Sequence, residues 1–297
     1  MKKVVYSAIV GDYDSIVQPL VLAEEFDYIL FSNDIHESHI GVWQIRKIPY
    51  YNKDNIRIAR WVKTHPYTLL QDYKYSIWID SNVIIKSEEV YKHTDNLFNQ
   101  GVLISSMAHY ERTCIYEECL EVAVKKRDSL HKILPEYLFL KHHQYPYMNG
   151  LCETNFVFRN HQDPKIQKLC EDWWKMIDKF SRRDQLSFNY VIWANKLSLD
   201  LFLGKMYCTR NHPFFECHLH KDLMYEYKTW LRFLEPTAKK IYRPAFKYLL
   251  LCPNGSWKET WAMLYLYMME FFLNQTHQLY CNRTLRKIFA SIKRNNG

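Results

Sequence analysis

The chain has 297 residues and a formal net charge of +8; 48% of its residues are hydrophobic and 16% are aromatic. This composition, without Gly/Ser-rich or Pro-rich tracts, excludes a disordered protein, and the length predicts either one large globular domain with an appendage or two domains. The excess positive charge lies in residues 236–297, which contain ten Lys/Arg and two acids. We therefore expect an electrically balanced domain over residues 1–235 and a basic, aromatic tail over residues 236–297.

The cysteines and the apolar stretches predict a cytoplasmic location. The eight cysteines contain no C-x-x-C pair, which favours reduced thiols. The apolar run near the start of the chain breaks at Gly11, before any cleavage site of a secretory signal. The longest apolar stretch, Trp261–Leu273, has 13 residues, too few to cross a bilayer with ~30 Å of hydrocarbon.

Short apolar runs alternate with segments of helical spacing along the first two thirds of the chain. The predicted strands are Val4–Val10, Tyr28–Phe31, Val42–Ile48, Tyr75–Ile79, Val102–Ser106 and Asn155–Arg159. The predicted helices are Asp54–Lys63, Ser87–Asn99, most of Thr113–Tyr145, Pro164–Phe180 and Asp184–Lys196. This order predicts an α/β sandwich with a mostly parallel central sheet, in which ligands bind at the carboxyl ends of the strands.

The glycines exclude two common phosphate-binding loops, because the seven of them lack the spacing of a dinucleotide fingerprint or a P-loop. A bound diphosphate would then need a metal ion and cationic side chains. Asp80 and Asn82 follow the strand Tyr75–Ile79, so both side-chain oxygens could approach one divalent cation. The alternative is that Asp-Ser-Asn only turns the chain, since all three residue types favour turns.

Three cationic residues, Arg57, Arg60 and Lys63, recur every three residues on the helix before that strand. Consecutive members are neighbours on the helix surface. They could bind phosphate or form a solvated basic face.

Seven segments of the chain together carry a family resemblance. In order, they are YSAIVGDYD, DYILFSND, RIARWVKTHP, SIWIDSN, HYERTCIYEE, GLCETNFVFRNH and SRRDQLSFNYVIW. They resemble the glycosyltransferase-like domain of plant and bacterial proteins once classed as a domain of unknown function, over about residues 3–220. The resemblance implies a GT-A fold, a nucleotide-sugar-binding α/β domain whose metal site is usually an Asp-x-Asp at a strand end.

The resemblance implies a metal site that holds Mn²⁺ or Mg²⁺. It places Asp80 and Asn82 in this site, with Asn82 where most GT-A enzymes have the second Asp. Many GT-A enzymes recruit a late histidine as a further ligand, which points to His218 and His220. The alternative is that these are ordinary surface histidines.

The same resemblance implies where the nucleotide sugar binds. The nucleoside would lie at the ends of the first two strands, and the diphosphate beside the basic helix. The implied binding residues are Gly11, Tyr13, Asp14, Asp34, Arg57, Arg60, Lys63, Asp80, His109 and Arg112. Two alternatives stay open: the aspartates could be turn residues, and Arg112 could pair with Glu117 in an internal salt bridge.

The segment SRRDQLSF contains the main catalytic candidates. Asp184 and Gln185 are similar to an Asp-Gln pair that begins a helix near the anomeric carbon in several sugar-nucleotide transferases. Glu153 is the second candidate for an acid or base. However, Ser181-x-x-Asp184 also has the spacing of a capping box, so Asp184 could instead cap a helix.

The tail contains a predicted amphipathic basic helix, with Leu285, Ile288, Phe289 and Ile292 on one face. Anionic lipid contributes ~1 kcal/mol per nearby basic residue, so we expect peripheral attachment to the inner face of a membrane. Packing of this apolar face against the domain is the alternative. No motif supports binding to nucleic acid.

The sequence predicts a GT-A glycosyltransferase that transfers a sugar from a nucleotide-diphosphate sugar to a glycan or lipid-linked acceptor in surface polysaccharide synthesis. A non-catalytic sugar-nucleotide binder is one alternative, which Asn82 keeps open. The other is an amide hydrolase acting on a ceramide-like lipid, as described for a plant relative. The chain contains no G-x-S-x-G or H-E-x-x-H motif to support hydrolysis.

Overall fold

The computed structural model describes residues 2–11, 15–218 and 225–282, and the chain divides into two compact units. The sheet unit comprises Met1–Ile115 and Pro146–Lys221, and the helical unit comprises Tyr116–Tyr145 and Asp222–Gly297. The domain boundary after residue 235 stays a prediction. By packing, a central stretch of the chain groups with the C-terminal helices.

The described part of the sheet unit contains an eight-stranded sheet in the order β3-β4-β2-β1-β5-β8-β7-β9. Its strands are β1 Lys3–Ala8, β2 Phe26–Phe31, β3 His39–Ile40, β4 Trp43–Arg46, β5 Ser76–Ile79, β7 Ile104–Ala108, β8 Cys152–Arg159 and β9 Asp200–Leu201. Only β3 and β8, of these strands, run against the others. The predicted α/β sandwich with a mostly parallel sheet is confirmed.

Strand β6 (Val83–Ile85) follows the turn after β5, and it pairs in antiparallel fashion with β10 (Phe215–Cys217) from much later in the chain. The turn is tight, because Val83 donates its N–H to the carbonyl of Asp80 at 2.9 Å. The predicted turn is therefore present, and it leaves the side chains of Asp80 and Asn82 available for other contacts.

The helices of the sheet unit are α1 Asn55–Thr64, α2 Pro66–Leu69, α3 Glu89–Asn99, α6 Pro164–Lys179 and α7 Gln185–Ala194. Asp54 begins α1 by accepting the N–H of Ile56 at 3.0 Å, and α1 ends just before Pro66, which cannot continue it. Helix α6 packs against both α1 and α7. This contact sets the positions of the polar side chains that α1 and α7 carry.

The helical unit contains α5 Leu130–His142, α8 Tyr225–Phe233, α9 Glu235–Leu251, α10 Trp257–Cys281 and most of α4 Ile115–Val124. The predicted helical character of the mid-chain segment and of the tail up to residue 281 is confirmed. Buried side chains donate to backbone carbonyls inside this unit: Trp230 to Val124 at 2.9 Å and Tyr137 to Phe246 at 3.0 Å. None of the described helices is long and apolar enough to cross a membrane.

The β3–β4 hairpin turns at Gly41, whose φ is +60°. The Gln18 side chain bridges this turn, because Nε2 donates to the Ile40 carbonyl at 3.2 Å and Oε1 accepts the Val42 N–H at 3.0 Å. A Cβ at Gly41 would lie 2.3 Å from Gln18 Oε1. A separate hydrogen bond holds the residue before Gln18 against the same hairpin, since Trp43 donates its indole N–H to the Val17 carbonyl at 2.8 Å.

We expect Gly41→Ala to lower the free energy of unfolding by about 2–5 kcal/mol, as measured by urea denaturation. The left-handed backbone disfavours alanine by ~1–2 kcal/mol, and displacing Gln18 removes two hydrogen bonds of about 0.5–1.5 kcal/mol each. Gly101→Ala is the matched control, because φ there is +74° and an added Cβ meets no atom within 4 Å. Equal losses in the two variants would show that the Gln18 bridge contributes nothing.

Candidate functional site

The carboxyl ends of β1, β2 and β5 lie side by side, because these strands are parallel and adjacent. Gly11 follows β1, Asp34 follows β2 and Asp80 follows β5. Gly11 donates its backbone N–H to Asp34 Oδ2 at 2.6 Å. The structure thus brings together Gly11 and Asp34, two of the predicted nucleotide-sugar-binding residues.

A narrow hollow opens at these strand ends and reaches Asp80. Its wall is mainly apolar and includes the hydroxyl-bearing Ser7 and Ser81. Ser7 Oγ is buried and has no hydrogen-bond partner among the described residues. A buried hydroxyl without a partner costs free energy that a bound polar group could offset. The residues that line the hollow are Ser7, Ile9, Ile16, Val17, Leu30, Trp43, Ile79, Asp80, Ser81 and Val83.

Two cations and two carboxylates form a cluster beside this hollow, which we call the charge cluster: Arg60, Lys63, Asp80 and Asp184. Lys63 Nζ lies 2.5 Å from Asp184 Oδ2, and Arg60 Nε lies 3.1 Å from Asp184 Oδ1. Asp80 Oδ1 is 3.5 Å from Lys63 Nζ and 3.8 Å from Arg60 Nη1. The cluster joins α1, the end of β5 and the start of α7, and its formal charge is zero.

The charge cluster has an inner pair and an outer pair. The side chains of Lys63 and Asp184 are 0% and 3% exposed, whereas those of Arg60 and Asp80 are 15% and 25% exposed. Thr154 adds a hydrogen bond to the inner pair, because its Oγ1 donates to Asp184 Oδ2 at 2.7 Å. A ligand from solvent would therefore meet Arg60 and Asp80 first.

Burial and charge act in opposite directions on the pKa values of Asp184, Asp80 and Lys63. Burial alone would raise the pKa of Asp184, but Arg60 and Lys63 hold it well below its usual value of 3.8. The pKa of Asp80 is also lowered, because Lys63 and Arg60 outweigh the effect of burial. For Lys63 burial dominates and lowers the pKa, although both carboxylates oppose this shift. Both carboxylates are therefore ionised at neutral pH.

Asp184 does not cap α7 through its side chain, although it lies at the N-cap position. Its carboxylate is bound by Lys63 and Thr154 instead, and its carbonyl accepts the indole N–H of Trp173 at 3.0 Å. The capping-box interpretation is therefore wrong, because a buried ammonium is a stronger partner for this carboxylate than a backbone N–H.

The other two catalytic candidates lie on β8 or contact it. Gln185 Nε2 donates to the carbonyl of Cys152 at 3.4 Å. Glu153 precedes Thr154 and is 1% exposed, and its carboxylate pairs with Arg210. It also accepts the N–H of Tyr110 at 3.3 Å. Burial raises the pKa of Glu153 above its usual value, although Arg210 opposes this shift.

Several predicted binding residues have structural partners. The Arg57 guanidinium donates to the carbonyls that end α6, including that of Phe180 at 2.8 Å, and so anchors this helix to α1. His109 Nδ1 accepts the backbone N–H of Arg112 at 3.0 Å, which shapes the loop after β7. The Arg112 guanidinium pairs with Glu111 at 2.8 Å. We therefore assign Arg57 an anchoring role.

The candidate metal ligands are divided between two places. Asn82 Nδ2 donates to the carbonyl of His218 at 2.8 Å, while the His218 ring lies 3.0 Å from Glu216. In residues 2–11, 15–218 and 225–282, no three His, Cys, Asp or Glu side chains form a group that could hold a metal ion. Asp80 and Asn82 nevertheless offer one carboxylate and one amide oxygen, which fits a cation that takes its other ligands from substrate phosphates and water.

Tyr13, Asp14 and His220 lie outside the described residues, as does the predicted amphipathic helix of the tail.

Sequence patterns gave no signal for two residues of the site, Thr154 and Arg210. Thr154 lies within a buried strand, where a single threonine is ordinary. Arg210 lies in a loop far along the chain from its partner Glu153, and no spacing rule connects the two. The order of the motifs could have indicated only that β8 passes near the site.

Comparisons with known proteins identify a family for most of the chain. The model of a family described as TOD1/MUCI70, glycosyltransferase-like domain, matches residues 1–218. No curated protein matches the chain. Among solved structures, the WbbM bifunctional glycosyltransferase in its apo form is similar at 11% sequence identity and a TM-score of 0.38. That match covers 67% of this chain, which spans 38% of the WbbM chain.

We expect Asp184→Asn to lower the free energy of unfolding at pH 7 by about 3–5 kcal/mol, because it leaves the buried ammonium of Lys63 without its nearest counter-charge. Asp172→Asn is the matched control: Asp172 also pairs with lysines, Lys168 and Lys175, but at the surface, so its loss should be below about 1 kcal/mol. Urea denaturation measures both. Similar losses in the two variants would contradict the importance of the buried pair.

The lowered pKa of Asp184 also predicts how stability depends on pH. Between the folded and the unfolded pKa, the unfolded chain binds more protons, so stability falls as the pH decreases through this range. The stabilisation is complete above the unfolded value of 3.8 and is lost progressively below it. In acid titrations of unfolding, wild type should lose more stability than Asp184→Asn below this pH. Parallel curves for the two proteins would contradict the assignment.

Proposed function

The chain belongs to the TOD1/MUCI70 glycosyltransferase-like domain family, and we propose that it transfers a sugar from a nucleotide-diphosphate sugar to a glycan or lipid-linked acceptor. The observation that carries the proposal is the charge cluster at the strand ends, next to the hollow. Surface polysaccharide synthesis is the process in which we propose that this reaction takes place.

The donor would lie over the strand ends and the outer side of the charge cluster. We assign the nucleoside to the strand ends beside Gly11 and Asp34. Only one small polar group of the base or ribose could enter the hollow, whose volume is about 10 Å³, and hydrogen-bond Ser7 Oγ there. The diphosphate would then reach Arg60, whose guanidinium can bind two phosphate oxygens at once. Lys63, fully buried behind it, would contribute charge rather than direct contact.

We further propose that Mn²⁺ or Mg²⁺ assists the reaction, bound through Asp80 and Asn82 and by the diphosphate. Such a cation neutralises the negative charge that develops on the leaving phosphate. Arg60 and Lys63 act on the same charge from the protein side. Asp80 already lies 3.5 Å from Lys63 and 3.8 Å from Arg60, so the metal and these cations would share one carboxylate.

The inner residues would support the reaction in different ways. Asp184 is buried and paired with both Lys63 and Arg60, so we propose that it positions these cations. Gln185, which begins α7 and is partly exposed, can reach solvent and is the better candidate for contact with the sugar. Glu153, with its raised pKa, suits proton transfer.

We expect the protein to release nucleotide from at least one nucleotide sugar in the presence of Mn²⁺ and acceptor. Arg60→Ala should lower the rate by about 10²–10³-fold, because it removes a cation that stabilises the leaving diphosphate. Asp80→Ala should lower it similarly. Lys168→Ala, which removes an exposed cation on α6, is the control and should leave the rate unchanged.

The same assay distinguishes the alternatives. A thermal shift on adding a nucleotide sugar, without nucleotide release even when acceptors are supplied, would favour a binding protein. Neither shift nor release, together with cleavage of ceramide, would favour an amide hydrolase. Unchanged release in Arg60→Ala would show that the charge cluster is not where the diphosphate binds.

The metal proposal has a separate test in Asn82→Asp. A second carboxylate adds negative charge to the site, so this variant should reach half-maximal nucleotide release at a lower Mn²⁺ concentration than wild type. Asn96→Asp on α3, away from the strand ends, is the control for added charge. If EDTA leaves the rate unchanged and Asn82→Asp does not shift the Mn²⁺ titration, the metal proposal is wrong while the transferase proposal stands.

A further inference from the structure

Helix α10 in the helical unit exposes a long row of apolar side chains. Nine aromatic or aliphatic residues between Trp257 and Tyr280 are each more than 40% exposed. Trp257, Trp261, Leu264, Met268 and Phe271 follow at intervals of three or four, which places them along one side of the helix. We call these five residues the aromatic stripe. An apolar surface of this size on a folded protein marks an interaction site.

The opposite side of α10 is fixed by contacts within the helical unit. Glu259 in its first turn accepts a hydrogen bond from Lys141 at 2.5 Å and lies 3.1 Å from His142. Further along, Glu270 accepts the N–H of Leu130 at 3.0 Å, and Trp230 packs edge-on against His277. The stripe is therefore the side of the helix that these contacts leave outward.

Among the side chains described on α8–α10, the exposed charges all have one sign. Glu259 is buried, and Glu235 and Glu270 are only partly exposed, so the side chains described on these helices include no exposed acid. The exposed charged residues there are Lys228, Arg232, Lys239, Lys240, Arg243, Lys247 and Lys258. A helical unit that exposes an aromatic stripe together with these cations suits a partner that is both apolar and anionic.

We propose that the aromatic stripe lies in the headgroup region of an anionic lipid bilayer. Tryptophan and other aromatic rings favour that region, and lysine and arginine are attracted to anionic headgroups. A helix that is too polar to cross the bilayer but apolar along one side binds parallel to its surface. A second copy of the chain would bring like charges together, which disfavours a dimer through the same face.

The contact with lipid stands independently of the transferase proposal. What it adds to that proposal is a way to approach an acceptor that is anchored in the same bilayer. Binding to vesicles is measured without any nucleotide sugar, so failure of one proposal can be told apart from failure of the other.

The test is sedimentation of the full-length protein with vesicles of phosphatidylcholine, with and without phosphatidylglycerol. Wild type should bind the anionic vesicles, and its tryptophan fluorescence should shift to shorter wavelength. Trp257→Ala/Trp261→Ala/Phe271→Ala should weaken binding about tenfold or more, because it removes three rings from the bilayer. Tyr51→Ala/Met206→Ala, which removes two exposed apolar side chains of the sheet unit, is the matched control and should bind like wild type.

A charge variant keeps the test valid if the triple variant misfolds. Lys239→Gln/Lys240→Gln/Arg243→Gln should reduce binding to anionic vesicles and make it less sensitive to salt. Three results would overturn the proposal: unchanged binding in both sets of variants; loss of binding only on truncation after Asn282; or no binding to vesicles together with a dimer that the triple variant disrupts.

Discussion

The ion pair between Lys63 and Asp184 is the interaction on which the candidate site depends. Both side chains are removed from water, and the cost of doing so is offset only when the two groups are close and their remaining hydrogen-bonding capacity is used. Arg60, Thr154 and the partly exposed Asp80 meet that condition. Helix α1, strand β8 and the start of α7 must therefore keep their relative positions. The guanidinium of Arg57, bound to the carbonyls that end α6, helps to hold this arrangement from the other end of α1.

A neutral cluster of four charges is well suited to exchange partners. A nucleotide diphosphate is negative and a divalent cation is positive. When both bind, the net charge of the site therefore changes little. The diphosphate would take up the outer cation Arg60, and the divalent ion would take up the outer carboxylate Asp80. The inner pair would remain intact, because Lys63 and Asp184 contact each other directly and are shielded from solvent. Catalytic sites often combine such a fixed inner layer with an outer layer that exchanges ligands.

The sequence was sufficient to predict the mostly parallel sheet and most of its strands and helices in order, because these follow from local patterns. It also predicted Arg60, Lys63, Asp80 and Asp184 as site residues, whereas the cluster that these four form is visible only in the structure. It was insufficient where the deciding partner is distant. The capping-box spacing at Ser181 was misleading because the competing ammonium comes from α1, more than a hundred positions earlier. Arg57 has the same helical spacing as Arg60 and Lys63, yet it contacts α6. The grouping of residues 116–145 with the C-terminal helices also depends on packing between distant segments, which periodicity does not encode.

The two units use their acidic residues in a similar way, with different results at the surface. In the sheet unit, Asp80 and Asp184 are balanced by neighbouring cations, so the site is neutral until a ligand arrives. In the helical unit, Glu259 and Glu270 are bound by internal donors, so lysine and arginine alone remain among the exposed charges described on α8–α10. Residues 236–297 also contain ten Lys/Arg and only two acids. The positive sign of the charges described there therefore follows both from this composition and from the placement of the acids.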